Sequence, residues 1–196
     1  MELNRTYFVC KKILYGGLPG TGKSTAAREV SRHFKCLVYT SKYVKEDRDY
    51  LLWGQEKVII PKQPFDFVKA FPLWCVFAKR MAAAGIIDCF IIDDADMLFP
   101  DGNWSRTPPQ LMDLIINLTH YGLTLMFVSR RPQDLPTKLY EQCEIHFMFN
   151  IDAPNVIKKL NEYYEGYGDM VRDLPYGGHQ FVFKMIGQPP QVGRCG

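Results

Sequence analysis

A three-layer α/β fold with a mainly parallel central sheet is predicted by three features of the chain. Apolar runs of strand length alternate with stretches of helical periodicity. A glycine-rich loop, Leu14-Tyr15-Gly16-Gly17-Leu18-Pro19-Gly20-Thr21-Gly22-Lys23-Ser24-Thr25, stands between the first strand and the first helix. A later apolar run, Phe90-Ile91-Ile92, ends abruptly in Asp93-Asp94.

The elements follow in order. Residues 11–15 read as a strand, and Lys23 to Phe34 as a helix with Ala26, Ala27, Val30 and Phe34 near one face. Cys36 to Thr40 is the second strand. In the charged stretch 41–64, Val58-Ile59-Ile60 reads as a further strand, and Lys42, Lys45 and Arg48 are favoured as a solvated face. Asp66 to Ala84 carries apolar residues at three- and four-residue spacing and ends at Gly85, with Pro72 inside it. Its aromatic stripe (Phe67, Phe71, Trp74, Phe77) is expected in the core.

Ile86 to Ile92 is the next strand, followed by a loop rich in Pro, Gly, Asn and Asp. Thr107 is expected to cap a helix that begins at Pro108 and buries Leu111, Leu114, Ile115 and Leu118. Leu123 to Val128 is a buried strand, 137–142 a short helix and Ile145 to Phe149 another strand. Asp152 is expected to cap a helix over 153–165. Residues 166–178 read as a connector and Gln180 to Met185 as an exposed-edge strand. Residues 1–185 make one domain, and 186–196 an extended tail rich in Gly and Pro.

Composition bounds the rest. The chain has 196 residues, 47% hydrophobic and 23% charged, the balance of a soluble globular protein. A net charge of +3 is too small by itself to argue for a polyanionic partner. The six cysteines are scattered without metal-ligand spacing, which predicts buried free thiols in a reducing compartment. The sequence has no charged-then-apolar leader and no membrane span, so a cytoplasmic location is expected.

Gly17, Gly22, Lys23 and Ser24 fit the phosphate-loop pattern of Gly, four residues, Gly-Lys-Ser/Thr. Glycines let backbone N–H groups turn inward, and the following helix adds unpaired donors and the positive end of its dipole. The expected nucleotide contacts are therefore Gly17, Leu18, Pro19, Gly20, Thr21, Gly22, Lys23, Ser24 and Thr25, for ATP with Mg²⁺. Lys23 would reach the β- and γ-phosphates, and Ser24 would ligate Mg²⁺ together with Asp93 at its strand end. Asp94 occupies the place where additional-strand ATPases usually carry the Glu that orients the attacking water, and that likeness makes it the expected acid, with Asp96 a weaker candidate. After the next strand come Ser129, Arg130 and Arg131. A polar sensor and an arginine acting on the transferred phosphoryl group, in its own subunit or a neighbour's, are expected among these three.

These segments, with Leu139-Tyr140-Glu141-Gln142-Cys143-Glu144-Ile145-His146-Phe147 downstream, resemble the HerA–FtsK superfamily of P-loop ATPases. In length and motif order the chain resembles the compact viral branch of that superfamily, the genome-packaging ATPases of icosahedral viruses with an internal membrane. Two departures stand out: Arg130 where the family usually has Gln before Arg-Pro, and Asp94 where it usually has Glu. The resemblance implies a P-loop NTPase fold of the additional-strand, RecA-like type, with the sensor strand between the phosphate-loop strand and the acidic strand. It implies a homo-oligomeric ring around double-stranded DNA, with virion portal or membrane proteins as possible further partners and a virion-associated state. Trp104 and Arg106 are candidate channel or subunit contacts, against an ordinary surface loop. Two alternatives remain open, a small-molecule or nucleotide kinase and a morphogenesis ATPase similar to the zonula-occludens-toxin group. A nucleotide-dependent switch that hydrolyses poorly is a third.

Overall fold

The computed structural model describes residues 5–41, 58–59, 66–99 and 102–195. Its strands are β1 (Lys12–Gly16), β2 (Cys36–Tyr39), β3 (Val58–Ile59), β4 (Cys89–Asp93), β5 (Thr124–Ser129), β6 (Ile145–Phe149), β7 (Gln180–Met185) and β8 (Gln191–Arg194). The helices are α1 (Lys23–Ser31), α2 (Phe67–Ala83), α3 (Pro109–Asn117), α4 (Thr137–Gln142), α5 (Pro154–Tyr163) and α6 (Tyr167–Arg172). The strands form one sheet in the order β3-β2-β4-β5-β1-β6-β7-β8. Pairing is parallel from β3 to β6 and antiparallel from β6 through β7 to β8. β5, the strand expected to carry the sensor, lies between β1 and β4, the order that the sequence resemblance implies.

Period-two alternation splits the central strands between two apolar layers. Leu14, Phe90, Ile92, Leu125, Phe127 and Met148 face α2 to α6. Ile13, Tyr15, Cys89, Ile91, Met126 and Phe147 face α1, through Ala26, Ala27 and Val30. The three layers follow from that division. Register levels the strand ends that matter: Gly16 pairs with Ser129, and Asp93 with Val128. Ligands of open parallel sheets bind at these carboxyl ends.

α2 is continuous through Pro72, is capped by Asp66 accepting from the Lys69 N–H, and ends at left-handed Gly85. The Ile86 N–H donates back to the Met81 carbonyl at 2.9 Å, closing the last turn. The aromatic stripe divides, however. Phe67 and Phe71 are buried, Trp74 is partly so, and Phe77 is 41% exposed. Phe77 lies one residue, about 100°, around the helix from inward-facing Ala78.

Two helix starts differ from expectation for a shared reason. Pro108 and Ala153 occupy the capping positions, and Pro109 and Pro154 lead the helices. A residue before proline is held extended, so the helix begins one residue later than a Thr107 or Asp152 cap would place it. The 166–178 connector contains α6, whose first turn is organised by Asn161: its Oδ1 accepts from the Gly168 N–H at 2.7 Å and its Nδ2 donates to Asp169.

α5 and α6 pack so closely that a Cβ on Gly168 would lie 2.2 Å from the Ile157 carbonyl oxygen. Gly168→Ala is therefore expected to cost about 1–3 kcal/mol or more, because backbone must move. A lowered urea midpoint at unchanged m-value is the measurement that checks it.

The C-terminal segment departs most from expectation. Residues 191–194 are not a tail: they pair with β7 as β8. Left-handed Gly187 reverses the chain, and Gly193 admits the Phe181 ring, to which a Cβ there would approach within 2.6 Å. β7 is consequently an interior strand, and its central four residues are buried. Its neighbour His146 is a core residue: burial pushes its imidazole down to about 4. The neutral ring packs among Tyr140, Tyr163 and Tyr167. All six cysteines are free thiols, five of them buried. No helix among the described residues is long and apolar enough to cross a membrane.

Candidate nucleotide site

The phosphate loop hangs between the ends of β1 and β6. Gly17 has φ +152°, and a Cβ there would meet the Phe149 side chain at 2.7 Å. Gly20 and Gly22 are also left-handed. The Leu18 N–H donates to the Asn150 carbonyl at 3.1 Å, tying the loop to the end of β6. Across the loop, the Leu18 carbonyl accepts from the Thr21 hydroxyl at 2.8 Å and from Lys23 Nζ at 2.6 Å. The lysine ammonium thus bridges the loop across the space that a phosphate would enter. The capping position of α1 is Gly22, which has no side chain to occupy the helix N-terminus.

Asp93, the last residue of β4, is almost fully buried. One carboxylate oxygen accepts from the Thr40 hydroxyl at 3.1 Å and the other from the Asp94 N–H at 3.2 Å. Asp94 has φ +59° and ψ +41°, a left-handed conformation that Asp and Asn adopt more readily than other residues bearing a side chain. That backbone gives a physical reason for Asp here in place of the longer Glu. The Asp94 carboxylate is fully buried, paired with Arg130 Nε at 2.7 Å, and accepts from the Ser41 hydroxyl at 2.5 Å.

The last residue of β5 and the two that follow it have separate surroundings. The Ser129 hydroxyl donates to Asp96 Oδ1 at 2.9 Å, and the Arg130 N–H donates to the same oxygen at 3.1 Å. Ser129 also accepts from the Arg131 N–H at 3.2 Å. Asp96 therefore fastens the end of β5, and Ser129 is buried against it instead of facing the cleft. Arg130 reaches the cleft, and Arg131 is exposed.

The cleft has a volume of about 260 Å³ and is lined by Pro19, Gly20, Gly22, Lys23, Ser24, Thr25, Asp93, Val128, Arg130 and His179. Gly17, Leu18 and Thr21 frame it from behind, through the contacts above. The residues present fit a triphosphate with its metal: the loop is concave at three positive-φ glycines, and Ser24 and Asp93 line the same cleft. Thr40, Ser41 and His179 are the neighbours that sequence reasoning missed. The two hydroxyls follow β2 without a motif, and His179 is brought in only by the C-terminal hairpin. Of the remaining candidates, Trp104 stacks on Phe99 and packs against the core, while Arg106 is exposed. Lys42, Lys45 and Arg48 lie outside the described residues.

Comparison with solved structures places the fold. The DNA-packaging ATPase of Sulfolobus turreted icosahedral virus superposes with a TM-score of 0.78 at 17% identity, over 95% of this chain and 98% of that one. The genome packaging NTPase of Sulfolobus turreted icosahedral virus 2, in complex with ATP-gammaS, gives 0.72 at 17% identity over 94% and 98%. The cytoplasmic domain of the Thermomonospora curvata type VII secretion ATPase EccC gives 0.63 at 12% identity, over 94% of this chain and 25% of that one. No curated protein sequence matches the chain. The profile of the ATPase family associated with various cellular activities (AAA) matches residues 13–151, from β1 through the end of β6, and the chain belongs to that family of P-loop ATPases.

Proposed function

We propose that the protein is an ATP-driven translocase of double-stranded DNA, a genome-packaging motor that works as a ring of identical subunits. The observation that carries this reading is the near end-to-end superposition, over 95% and 98% of the two chains, on a viral DNA-packaging ATPase. The cleft supports the hydrolytic part of the reading, because the phosphate loop, buried Asp93 and Arg130 line it together, and Arg130 is paired with Asp94 just behind.

In this reading the loop N–H groups and the first turn of α1 hold the phosphates of ATP. Lys23 exchanges the Leu18 carbonyl for β- and γ-phosphate oxygens. Ser24 and Asp93 would hold Mg²⁺, which would supply positive charge to offset that of the phosphates. Arg130 faces two anions in turn, Asp94 and the γ-phosphate. As its guanidinium swings toward the phosphate, the Asp94 carboxylate is freed to orient the attacking water. Ser129 supports this step indirectly, by holding the end of β5 on Asp96. Exposed Arg131 is assigned to the nucleotide of the neighbouring subunit, where an arginine supplied in trans can raise turnover by about 10³–10⁵. A ring also reconciles the net charge of +3 with a polyanionic track, since several subunits bring their cations to the same duplex.

Phosphate release without any acceptor substrate distinguishes this reading from a kinase. Double-stranded DNA is expected to stimulate that release severalfold, and sedimentation to reveal a concentration-dependent ring. A monomer at all concentrations with DNA-indifferent turnover would contradict the motor reading.

A further inference from the structure

The cleft has two ends, and only one carries acids and Arg130. β1 lies between β5 and β6 in the sheet, and β7 follows β6. Of the residues lining the cleft, Asp93, Val128 and Arg130 come from the β4–β5 side, and His179, immediately before β7, comes from the other. A triphosphate whose γ end meets Asp93 and Arg130 crosses the end of β1 and must send its nucleoside toward β6 and β7.

That is where the Tyr176–His179 segment bends over the phosphate loop. The His179 ring lies against Gly22, where an added Cβ would meet its Cγ at 3.3 Å. Tyr176 is 69% exposed, yet its hydroxyl donates to the Pro19 carbonyl at 3.1 Å, which holds the side chain at the Pro19–Gly20 end of the loop. His179 itself is left-handed, with φ +53°. Its carbonyl is pinned by the N–H of Cys195, 3.1 Å away and just beyond β8. The Cys195 side chain is buried beside Gly22, 3.2 Å from the position of a Cβ there. The wall brings two flat aromatic rings, those of His179 and Tyr176, to the phosphate loop.

We propose that His179 and Tyr176 form the nucleoside wall of the site and receive the base of the bound nucleotide on their ring faces. β8 is the strap that holds this wall over the phosphate loop. The proposal rests on the reading that the cleft binds a nucleoside triphosphate. It adds the residues that recognise the base, together with a reason for the C-terminal hairpin. Stacking of this kind tolerates different bases, because every base has a π-face.

The test compares MgATP with magnesium tripolyphosphate, which has the phosphates and no nucleoside, by equilibrium binding to the full chain. His179→Asn, chosen because Asn tolerates the left-handed backbone, and Tyr176→Leu are each expected to weaken ATP binding about tenfold. Both should leave tripolyphosphate affinity unchanged, and Tyr176→Phe should retain ATP affinity. Lys23→Ala should weaken both ligands. Unchanged ATP affinity in both ring variants would overturn the proposal, as would parallel loss of tripolyphosphate, which would make the two rings mere props of the loop. A wild-type protein that binds neither ligand would instead overturn the nucleotide-site reading itself. Photolabelling of the wild type with azido-adenine ATP does not depend on any variant folding. Label on the 176–179 peptide supports the proposal, and label confined elsewhere overturns it.

Discussion

Lys23→Ala is expected to lower ATP turnover by about a hundredfold or more, the cost of losing one donor aimed at developing charge in a closed site. The argument starts from the position of the ammonium. Lys23 is 5% exposed and donates to the Leu18 carbonyl, a neutral acceptor that a phosphate oxygen outcompetes. Removing it deletes the cation that faces the β- and γ-phosphates, while the three positive-φ glycines that shape the loop stay in place. Loss of the hydrogen bond to Leu18 accounts for about 1 kcal/mol of fold stability. Phosphate release with a parallel thermal melt separates the two effects. Turnover equal to wild type would remove the phosphate loop from the mechanism.

The second large effect is at Asp94. Asp94→Asn preserves side-chain shape and tolerates the left-handed backbone, but it cancels the charge that Arg130 now meets at 2.7 Å. Turnover is expected to fall about a hundred- to a thousandfold, in the range seen when a transition-state contact is removed. Affinity for ATP should hold or rise, because Arg130 no longer has a competing carboxylate and is available to the γ-phosphate. Loss of turnover with retained binding is the signature of an interaction made in the transition state. A parallel loss of binding would assign Asp94 to the frame of the site instead.

Much of this site was legible because its parts are local. Gly17 to Thr25 is one continuous segment, a loop after β1 that runs into the first turn of α1, and Asp93 closes an apolar strand, so pattern and context agree. The strand order could be anticipated only through the family resemblance, since adjacency of β5 to both β1 and β4 leaves no local trace. Ser129 shows where local reading stops. It stands where a γ-phosphate sensor was expected, but its hydroxyl turns to Asp96, a choice made by a tertiary contact. Asp96 likewise reads as a spare acid in sequence and is spent holding the end of β5.

The C-terminal hairpin was hidden for the opposite reason. Gly187, Pro189, Pro190 and Gly193 resemble the composition of a tail, yet Gly187 makes the turn and Gly193 admits the Phe181 ring. Glycine content alone does not distinguish a loose segment from one closely packed by another side chain. That hairpin delivers His179 to the cleft from far along the chain, so no motif search centred on the phosphate loop could reach it.

Translocation itself is the remaining measurement. On linear duplex DNA carrying a triplex-forming strand, the wild-type protein with ATP and Mg²⁺ is expected to displace the third strand. Lys23→Ala and Asp94→Asn should leave it bound. Brisk ATP hydrolysis by the wild type with the third strand still in place would contradict the DNA motor and leave an ATPase whose work is done on something else.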